Sequence, residues 1–254
     1  MRIASRITRW LRRRRAENQP DFTVHDGITL PAPKLRFGGR YFKEDKDFLE
    51  SAQHEARRLQ SHFHLDRKSR LLEIGCGPGR LPIGILTSVG DIASYLGVDV
   101  NKRSVDWCRR HIEPHHPSFH FVHLDVANRR YNQDGTLARA RLPADDRSFD
   151  IVYLYSVFSH LLREDVEHYL GEIGRVLRPG GGVFLTAFVE ENVADVAENP
   201  PDYQGGRWQG ALHCVLYDRH FLEGLLSRQG LVVDRFEQGQ ETDRQSAYYL
   251  SLPA

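Results

Sequence analysis

The 254-residue chain is long enough to bury the core of one full domain, with 40% hydrophobic and 27% charged residues. No uncharged run approaches the roughly 20 residues of a membrane span, which argues against an integral membrane protein. The net charge of +1 conceals an asymmetry, because residues 1–16 hold seven arginines and no acid. Without these seven, 28 basic residues face 34 acidic ones, a net charge of −6, which argues against a broad nucleic-acid-binding surface.

Residues 1–17 form a basic N-terminal segment with an amphipathic pattern. On a helical wheel Ile3, Ile7, Trp10 and Leu11 share one face, and arginines occupy the rest. Three interpretations stay open: a disordered tail, a helix lying on an anionic membrane surface, and an organelle transit sequence.

Three cysteines, Cys76, Cys108 and Cys214, are widely separated. They have neither the paired spacing of a zinc site nor the even count of a disulfide framework, so they favour a reducing compartment. We therefore expect a cytoplasmic protein, with residues 1–16 as the point of any peripheral contact with the inner membrane surface.

The predicted elements begin after an irregular stretch. Prolines and the pair Gly38-Gly39 in residues 18–43 predict an extended lead-in with turns rather than a regular element. Residues 44–254 are predicted to form one domain. Its helices are expected at 43–64, 80–89, 102–112, 164–177 and 218–229. Its strands are expected at 70–74, 94–98, 119–124, 149–155, 182–188, 231–236 and 247–252.

This alternation predicts an α/β fold with a doubly wound, mostly parallel seven-stranded sheet, similar to a Rossmann fold. About ten residues, 237–246, join the last two strands, which leaves no room for a crossover helix. An antiparallel C-terminal hairpin is therefore expected at one edge of the sheet.

A glycine-rich bend, "LLEIGCGPGR" at residues 71–80, follows the first strand of the sheet. Gly75 and Gly77 permit positive backbone angles and a close approach of a ligand to the main chain. Glu73 is placed to receive a cation. Ligands of doubly wound sheets bind beyond the carboxyl ends of the strands, where this bend is expected.

Two further carboxylates end the next two strands. Asp99 is in the position from which a carboxylate binds both hydroxyls of a ribose. Asp125 is placed to accept from the exocyclic amine of an adenine, with Val100 and Val126 packing on the faces of the ring.

The bend reads G-x-G-x-G through Gly79, whereas a dinucleotide fingerprint reads G-x-G-x-x-G. With an acid two residues before its first glycine, "EIGCGPG" resembles motif I of the class I S-adenosylmethionine-dependent methyltransferases. The resemblance continues through "LGVDVN", "FVHLDVAN", "DDRSFDIVYLYSVFSHL" and "EIGRVLRPGG", in the family's order, and covers roughly residues 45–252.

The resemblance implies S-adenosylmethionine as the cofactor and assigns residues to its parts. Gly75, Cys76 and Gly77 would border the methionine part, Asp99 would bind the ribose, Asp125 and Val126 would bind the adenine, and Ser156 would lie near the methyl group. The segment "SVFSHL" is similar to that of stand-alone bacterial methyltransferases associated with glycan, lipid or secondary-metabolite chemistry. The expected acceptor is a small molecule, glycan or lipid, methylated at oxygen.

An aliphatic hydroxyl is a poor nucleophile, so a base would assist its methylation. His160 follows the fourth strand and is the candidate catalytic residue, with His213 as a second choice. The connections 126–147 and 189–216 are long enough to act as lids or binding loops that select the acceptor.

Other functions stay open at this point. An RNA or protein methyltransferase is the first alternative, although "YLYSVFSH" has no proline pair of the kind that amino-directed nucleic-acid methyltransferases carry. A noncatalytic partner subunit with the same fold is another, and a nicotinamide oxidoreductase would need the wider glycine spacing. No histidine or cysteine cluster has metal-ligand spacing, so no metal is expected.

Overall fold

Apolar runs alternate with amphipathic stretches from residue 45 onward, and they form the strands and helices of a three-layered α/β domain. The computed structural model describes residues 20–254, so the predictions for residues 1–16 lie outside the described residues. In chain order the elements are β1 (Phe22–His25), β2 (Ile28–Pro31), α1 (Asp45–Phe63), β3 (Arg70–Ile74), α2 (Arg80–Ser88), β4 (Ser94–Asp99), α3 (Lys102–His111), β5 (Phe119–His123), β6 (Phe149–Leu154), α4 (Arg163–Val176), β7 (Leu177–Glu190), β8 (Val196–Glu198), β9 (Val215–Asp218), α5 (Arg219–Arg228), β10 (Val232–Glu237) and β11 (Ser246–Ser251).

The main sheet has the strand order β10-β11-β7-β6-β3-β4-β5. Strands β3 to β7 within it pair in parallel, whereas β11 is antiparallel to both of its neighbours. The predicted doubly wound sheet and its C-terminal hairpin are therefore confirmed. The strand order reverses between β3 and β6, which creates a crevice at the carboxyl ends of these strands.

The sheet is covered on both faces because its strands are apolar on both faces. Leu71 and Leu72 are adjacent in β3 and belong to different apolar clusters, as the alternation of a strand requires. One cluster includes residues of α4 and α5, and the other includes residues of α1, α2 and α3. In α2, a Cβ on Gly84 would lie 1.9 Å from the carbonyl oxygen of Ala52, so the backbones of α1 and α2 are in direct contact.

The lead-in contains a regular element, contrary to the prediction for residues 18–43. β1 and β2 form an antiparallel hairpin around Asp26 and Gly27, whose φ angles are 50° and 77°. An Asp-Gly pair favours a two-residue hairpin turn, so the signal is present in the sequence. The indole nitrogen of Trp107 donates to the carbonyl oxygen of Asp21 (2.9 Å), which holds the hairpin against α3.

A second difference lies in the connection 189–216, for which the sequence predicts a loop. β7 runs on to Glu190, where β9 pairs with it in parallel and β8 pairs with β9 in antiparallel fashion. This small extension brings residues 199–214 to the carboxyl end of the sheet. Among the described residues, no helix combines the length and apolar character needed to cross a membrane.

Candidate functional site

A cavity of about 450 Å³ opens at the carboxyl ends of β3, β4 and β6. Its wall includes ten of the candidate site residues from the sequence: Glu73, Gly75, Cys76, Gly77, Asp99, Val100, Val126, Ser156, His160 and His213. Gly79 and Asp125 are also candidates from the sequence but do not line it.

The glycine bend forms the floor of this cavity. Gly75 has φ 80° and Gly77 has φ 49°, a region that side chains with a Cβ rarely adopt. A Cβ on Gly75 would lie 2.5 Å from Cγ2 of Val157, so the bend and the segment after β6 leave no room for a larger residue.

Gly79, two residues after Gly77, has a structural role. It caps the N-terminus of α2 with φ 87°, and a Cβ there would lie 3.0 to 3.5 Å from the side chains of Ile112, Cys108 and Trp107. The third glycine of the motif therefore allows close packing of α2 against α3, and contact of Gly79 with the cofactor stays a prediction.

Asp99 ends β4 with its carboxylate fixed by the glycine bend. Its two oxygens accept from the backbone nitrogen of Gly77 (2.7 Å) and from that of Asn101 (2.6 Å). Burial raises the pKa of Asp99, and these hydrogen bonds counteract that rise. Each oxygen can accept a second hydrogen bond, as binding of two neighbouring hydroxyls requires.

Asp125 lies outside the cavity wall because its own loop holds its carboxylate. It accepts from the hydroxyl of Thr136 (2.7 Å) and from the amide of Asn132 (3.3 Å), which lower its pKa. Its neighbour Val126 does line the cavity. Contact of Asp125 with an adenine stays a prediction.

Glu73 is buried beneath the bend, with 4% of its surface exposed. It accepts a hydrogen bond from the hydroxyl of Tyr95. Burial raises the pKa of Glu73 to about 8, against the opposing effects of that hydrogen bond and of the charge of Arg80.

Arg80 is a further residue of the site that the sequence does not single out, although it is the last residue of the glycine-rich stretch at 71–80. Its guanidinium lies between two rings, 4.4 Å from the centroid of Tyr155 and 5.4 Å from that of Phe42. Its nearest acidic partner is Glu55, at 3.9 Å. A permanent cation thus contributes to the cavity wall on the side of the bend.

Ser156 follows β6 in a left-handed conformation, with φ 58°. Its backbone nitrogen donates to the hydroxyl of Thr186 (2.8 Å), and its own hydroxyl accepts from the amide of Gln245 (2.7 Å). Gln245 also accepts from Thr186 (2.9 Å). This closed set of hydrogen bonds fixes the backbone where it turns into the cavity, and strain of this kind is concentrated at functional sites.

His160 is partly buried and lies in the next turn of the chain. Its Nδ1 is 2.8 Å from the carbonyl oxygen of Leu212. A carbonyl only accepts, so Nδ1 carries the proton and Nε2 keeps a free lone pair. Burial lowers the pKa of His160 to about 4, which leaves the imidazole neutral at physiological pH.

The two long connections supply the outer walls of the cavity. Tyr131 and Arg130 come from one, and Trp208 and His213 from the other. The ring of Tyr131 meets the edge of Phe37, from the lead-in, with centroids 5.9 Å apart. We call Phe37 and Tyr131 the roof of the cavity.

Comparisons with known proteins agree with this geometry. Residues 71–181 match the family model described as a methyltransferase domain. The chain is 34% identical over 152 residues to phthiotriol/phenolphthiotriol dimycocerosates methyltransferase 1 of Mycobacterium ulcerans (strain Agy99), a match that covers 58% of this chain and 47% of that protein.

Two other relatives act on different acceptors by name. Fatty-acid O-methyltransferase of Mycolicibacterium smegmatis is 34% identical over 144 residues, 56% of this chain and 42% of its own length. The tRNA N(3)-cytidine methyltransferase METTL2 of Gallus gallus is 30% identical over 129 residues, 50% of this chain and 32% of its own length. The match thus spans less than half of each of these three relatives.

A solved structure shows the same fold at low sequence identity. Geranyl diphosphate C-methyltransferase from Streptomyces coelicolor A3(2), in complex with Mg²⁺, geranyl diphosphate and S-adenosyl-L-homocysteine, has a TM-score of 0.58 and 14% identity, covering 86% of this chain and 88% of that one. This chain thus shares its fold with a methyltransferase, and residues 71–181, which include the glycine bend, match the family model of a methyltransferase domain. Within residues 20–254, no three histidine, cysteine or acidic side chains are grouped so that they could hold a metal ion.

Proposed function

We propose that this protein transfers a methyl group from S-adenosylmethionine to an oxygen atom of a small-molecule, glycan or lipid acceptor. One observation carries the proposal. The neutral imidazole of His160 lines the same cavity as the glycine bend and the carboxylate of Asp99, the two features expected to bind the cofactor.

The residues present fit the cofactor. Gly75 and Gly77 offer a bare backbone, Asp99 offers a carboxylate fixed by amides, and Val100 and Val126 offer apolar surface. When bound, S-adenosylmethionine supplies an electrophilic methyl group on a sulfonium. The charge on the sulfonium disappears as the methyl group leaves, so alignment and exclusion of water contribute much of the rate.

His160 orients the acceptor hydroxyl and receives its proton. Leu212 fixes the ring through Nδ1, and the hydroxyl donates to Nε2. A histidine with a lowered pKa is a weak base, so it accepts the proton mainly as the new carbon–oxygen bond makes that proton acidic.

The relatives support an oxygen acceptor, because one of them is named a fatty-acid O-methyltransferase. Another is named for a tRNA base, so RNA belongs among the acceptors to be tested. The connections 126–147 and 189–216 contribute the aromatic side chains of Tyr131 and Trp208 to the cavity wall, which suits an apolar or sugar-like acceptor.

Calorimetry with S-adenosylmethionine, NAD and NADP tests the cofactor, and we expect binding of the first alone. Preference for a nicotinamide would overturn the assignment. A screen with labelled S-adenosylmethionine over glycans, polyprenols, lipids, phenols and RNA then tests the acceptor. Label found only in RNA would contradict the proposed acceptor class, and binding without any turnover would favour a noncatalytic partner subunit.

We also propose that the protein is cytoplasmic and that residues 1–16 bind the inner membrane surface. Their seven arginines would each contribute about 1 kcal/mol on an anionic bilayer. Flotation with anionic liposomes should recover the full chain but not a variant lacking residues 1–16. Equal recovery of the two proteins would remove the idea.

A further inference from the structure

Arg130 lines the cavity without an acidic partner. Its Nε donates to the hydroxyl of Tyr131 (3.3 Å), and its guanidinium carbon lies 5.5 Å from the centroid of the same ring. Among residues 20–254, no carboxylate lies within ion-pair distance of this half-buried guanidinium. The side chain is therefore positioned by an aromatic hydroxyl while its charge is left unpaired.

The other charged groups of the cavity wall are matched. Arg80 has Glu55 at 3.9 Å, Asp165 has Arg139 at 3.0 Å, and Asp243 has Arg207 at 3.1 Å. The Asp99 carboxylate is held by two backbone amides, and Glu73 accepts from Tyr95. Withdrawing a cation even partly from water without a counter-ion costs free energy, so the position of half-buried Arg130 is explained best by an anion that binds there.

The anion would sit on the acceptor side of the cavity. Tyr131, which orients Arg130, lies edge-on to the ring of His160 with centroids 5.3 Å apart. The charge of Arg130 also contributes to the lowered pKa of His160. Arg80, in contrast, directly follows the glycine bend that would hold the cofactor.

We propose that Arg130 binds a carboxylate or phosphate group of the acceptor, which makes the acceptor an anionic amphiphile rather than a neutral lipid or sugar. This inference rests on the proposed function. Arginine pairs with such groups through two parallel hydrogen bonds, and partial burial strengthens them. Apolar wall residues such as Leu161 and Tyr169 would contact the uncharged part of the acceptor.

The test compares anionic and neutral probes of equal chain length. Binding of decanoate, decyl phosphate and decanol is measured by calorimetry on the protein saturated with S-adenosyl-L-homocysteine. We expect at least one anionic probe to bind more tightly than decanol, and the better of the two identifies a carboxylate or a phosphate. Arg130→Gln should weaken that probe roughly tenfold to a hundredfold and leave decanol unchanged, because a hydrogen bond to a charged group is lost.

Two further variants control the result. Arg130→Lys keeps the charge but not the two parallel donors, so it should retain part of the affinity. Arg57→Gln makes the same change of charge on the exposed side of α1 and should bind all probes like the wild type. If the wild type binds decanol, decanoate and decyl phosphate with equal affinity, the inference is wrong, whatever the variants show.

The affinity for S-adenosyl-L-homocysteine separates the remaining outcomes. If Arg130→Gln weakens it and leaves the anionic probes unaffected, Arg130 binds the cofactor's own carboxylate and the inference is wrong. If the wild type does not bind S-adenosyl-L-homocysteine at all, the proposed function fails. An anion preference that is abolished by Arg130→Gln would, even then, support the anion site.

Discussion

The tautomer of His160 is determined by one main-chain atom on another element. Leu212, whose carbonyl accepts from Nδ1, belongs to the connection 199–214 that the β8–β9 extension positions. The sequence identifies His160 as a candidate because it follows the fourth predicted strand. It cannot identify Leu212, which is 52 residues away and contributes only a backbone oxygen.

The lowered pKa of His160 predicts how the protein responds to acid. The unfolded chain has a histidine pKa near 6.5, and the folded chain has one of about 4, so the unfolded state binds more protons between these values. The free energy of unfolding should therefore fall as the pH drops from about 6.5 towards 4, and His160→Gln should lack this contribution.

Nuclear magnetic resonance of the histidine rings checks this prediction directly. One ring should titrate near pH 4, with its neutral form protonated at Nδ1, and its signals should be missing from His160→Gln. A titration midpoint near the ordinary histidine value of about 6.5 for this ring would mean that it is solvated and not held by Leu212.

The glycine bend is an element whose backbone conformation is required by the site. Gly75→Ala places a Cβ 2.5 Å from Val157 at φ 80° and should weaken binding of S-adenosyl-L-homocysteine at least roughly tenfold, because the bend and the segment after β6 must separate. Gly27→Ala is the matched control, since Gly27 has φ 77° in the β1–β2 turn but no atom within 4 Å of the place that a Cβ would occupy. Gly27→Ala should lower the free energy of unfolding, measured with denaturant, but should bind S-adenosyl-L-homocysteine like the wild type.

The lead-in contributes one half of the roof. Phe37 is 47% exposed and lines the cavity, whereas Tyr41 is 53% exposed in the same lead-in and does not. Phe37→Ala should speed dissociation of S-adenosyl-L-homocysteine several-fold in stopped-flow experiments while the melting temperature stays nearly constant. Tyr41→Ala should change neither quantity, and equal rates for all three proteins would show that the roof does not retain the cofactor.

The elements that sequence reasoning missed share a physical property. β8 has three residues and β9 has four, and both pair only with each other or with the far end of β7, so each is too short to show a period in the sequence. Except for β7, which begins five residues before its predicted start, the helices and the strands of the main sheet are predicted to within two residues, because most of them bury apolar side chains at their own period. Periodicity could not identify Gln245 as a site residue. Gln245 lines the cavity because β11, which follows it, pairs with β7 in a register that no sequence period specifies.

A buried ion pair links distant parts of the whole molecule. Arg58 of α1 lies 2.7 Å from Glu241 of the connection between β10 and β11, with side chains 10% and 8% exposed. Tyr155, at the end of β6, also donates to Glu241 (3.1 Å). Without Glu241, Arg58 would keep only Glu55, at 3.5 Å, as an acidic partner, so part of its buried charge would be left uncompensated.

Glu241→Gln should therefore lower the free energy of unfolding by about 2 kcal/mol, less than a fully unpaired buried charge would cost. Glu191→Gln removes a partner of Arg219 from a half-exposed pair and should cost less than about 1 kcal/mol. Denaturant unfolding of both variants checks the difference. Equal losses would mean that water screens the Arg58–Glu241 pair as effectively as it screens the surface pair.

The position of β11 in the main sheet determines when, during synthesis of the chain, the sheet can be completed. It is the last described strand in chain order, yet it lies between β7 and β10, and Gln245, directly before it, lines the cavity. On the ribosome, β3 to β7 can assemble as they emerge from the exit tunnel, while the hydrogen-bonding edge of β7 stays open. Residue 251 must be synthesised before that edge is closed, so the nascent protein acquires its complete binding site only after β11 has left the exit tunnel.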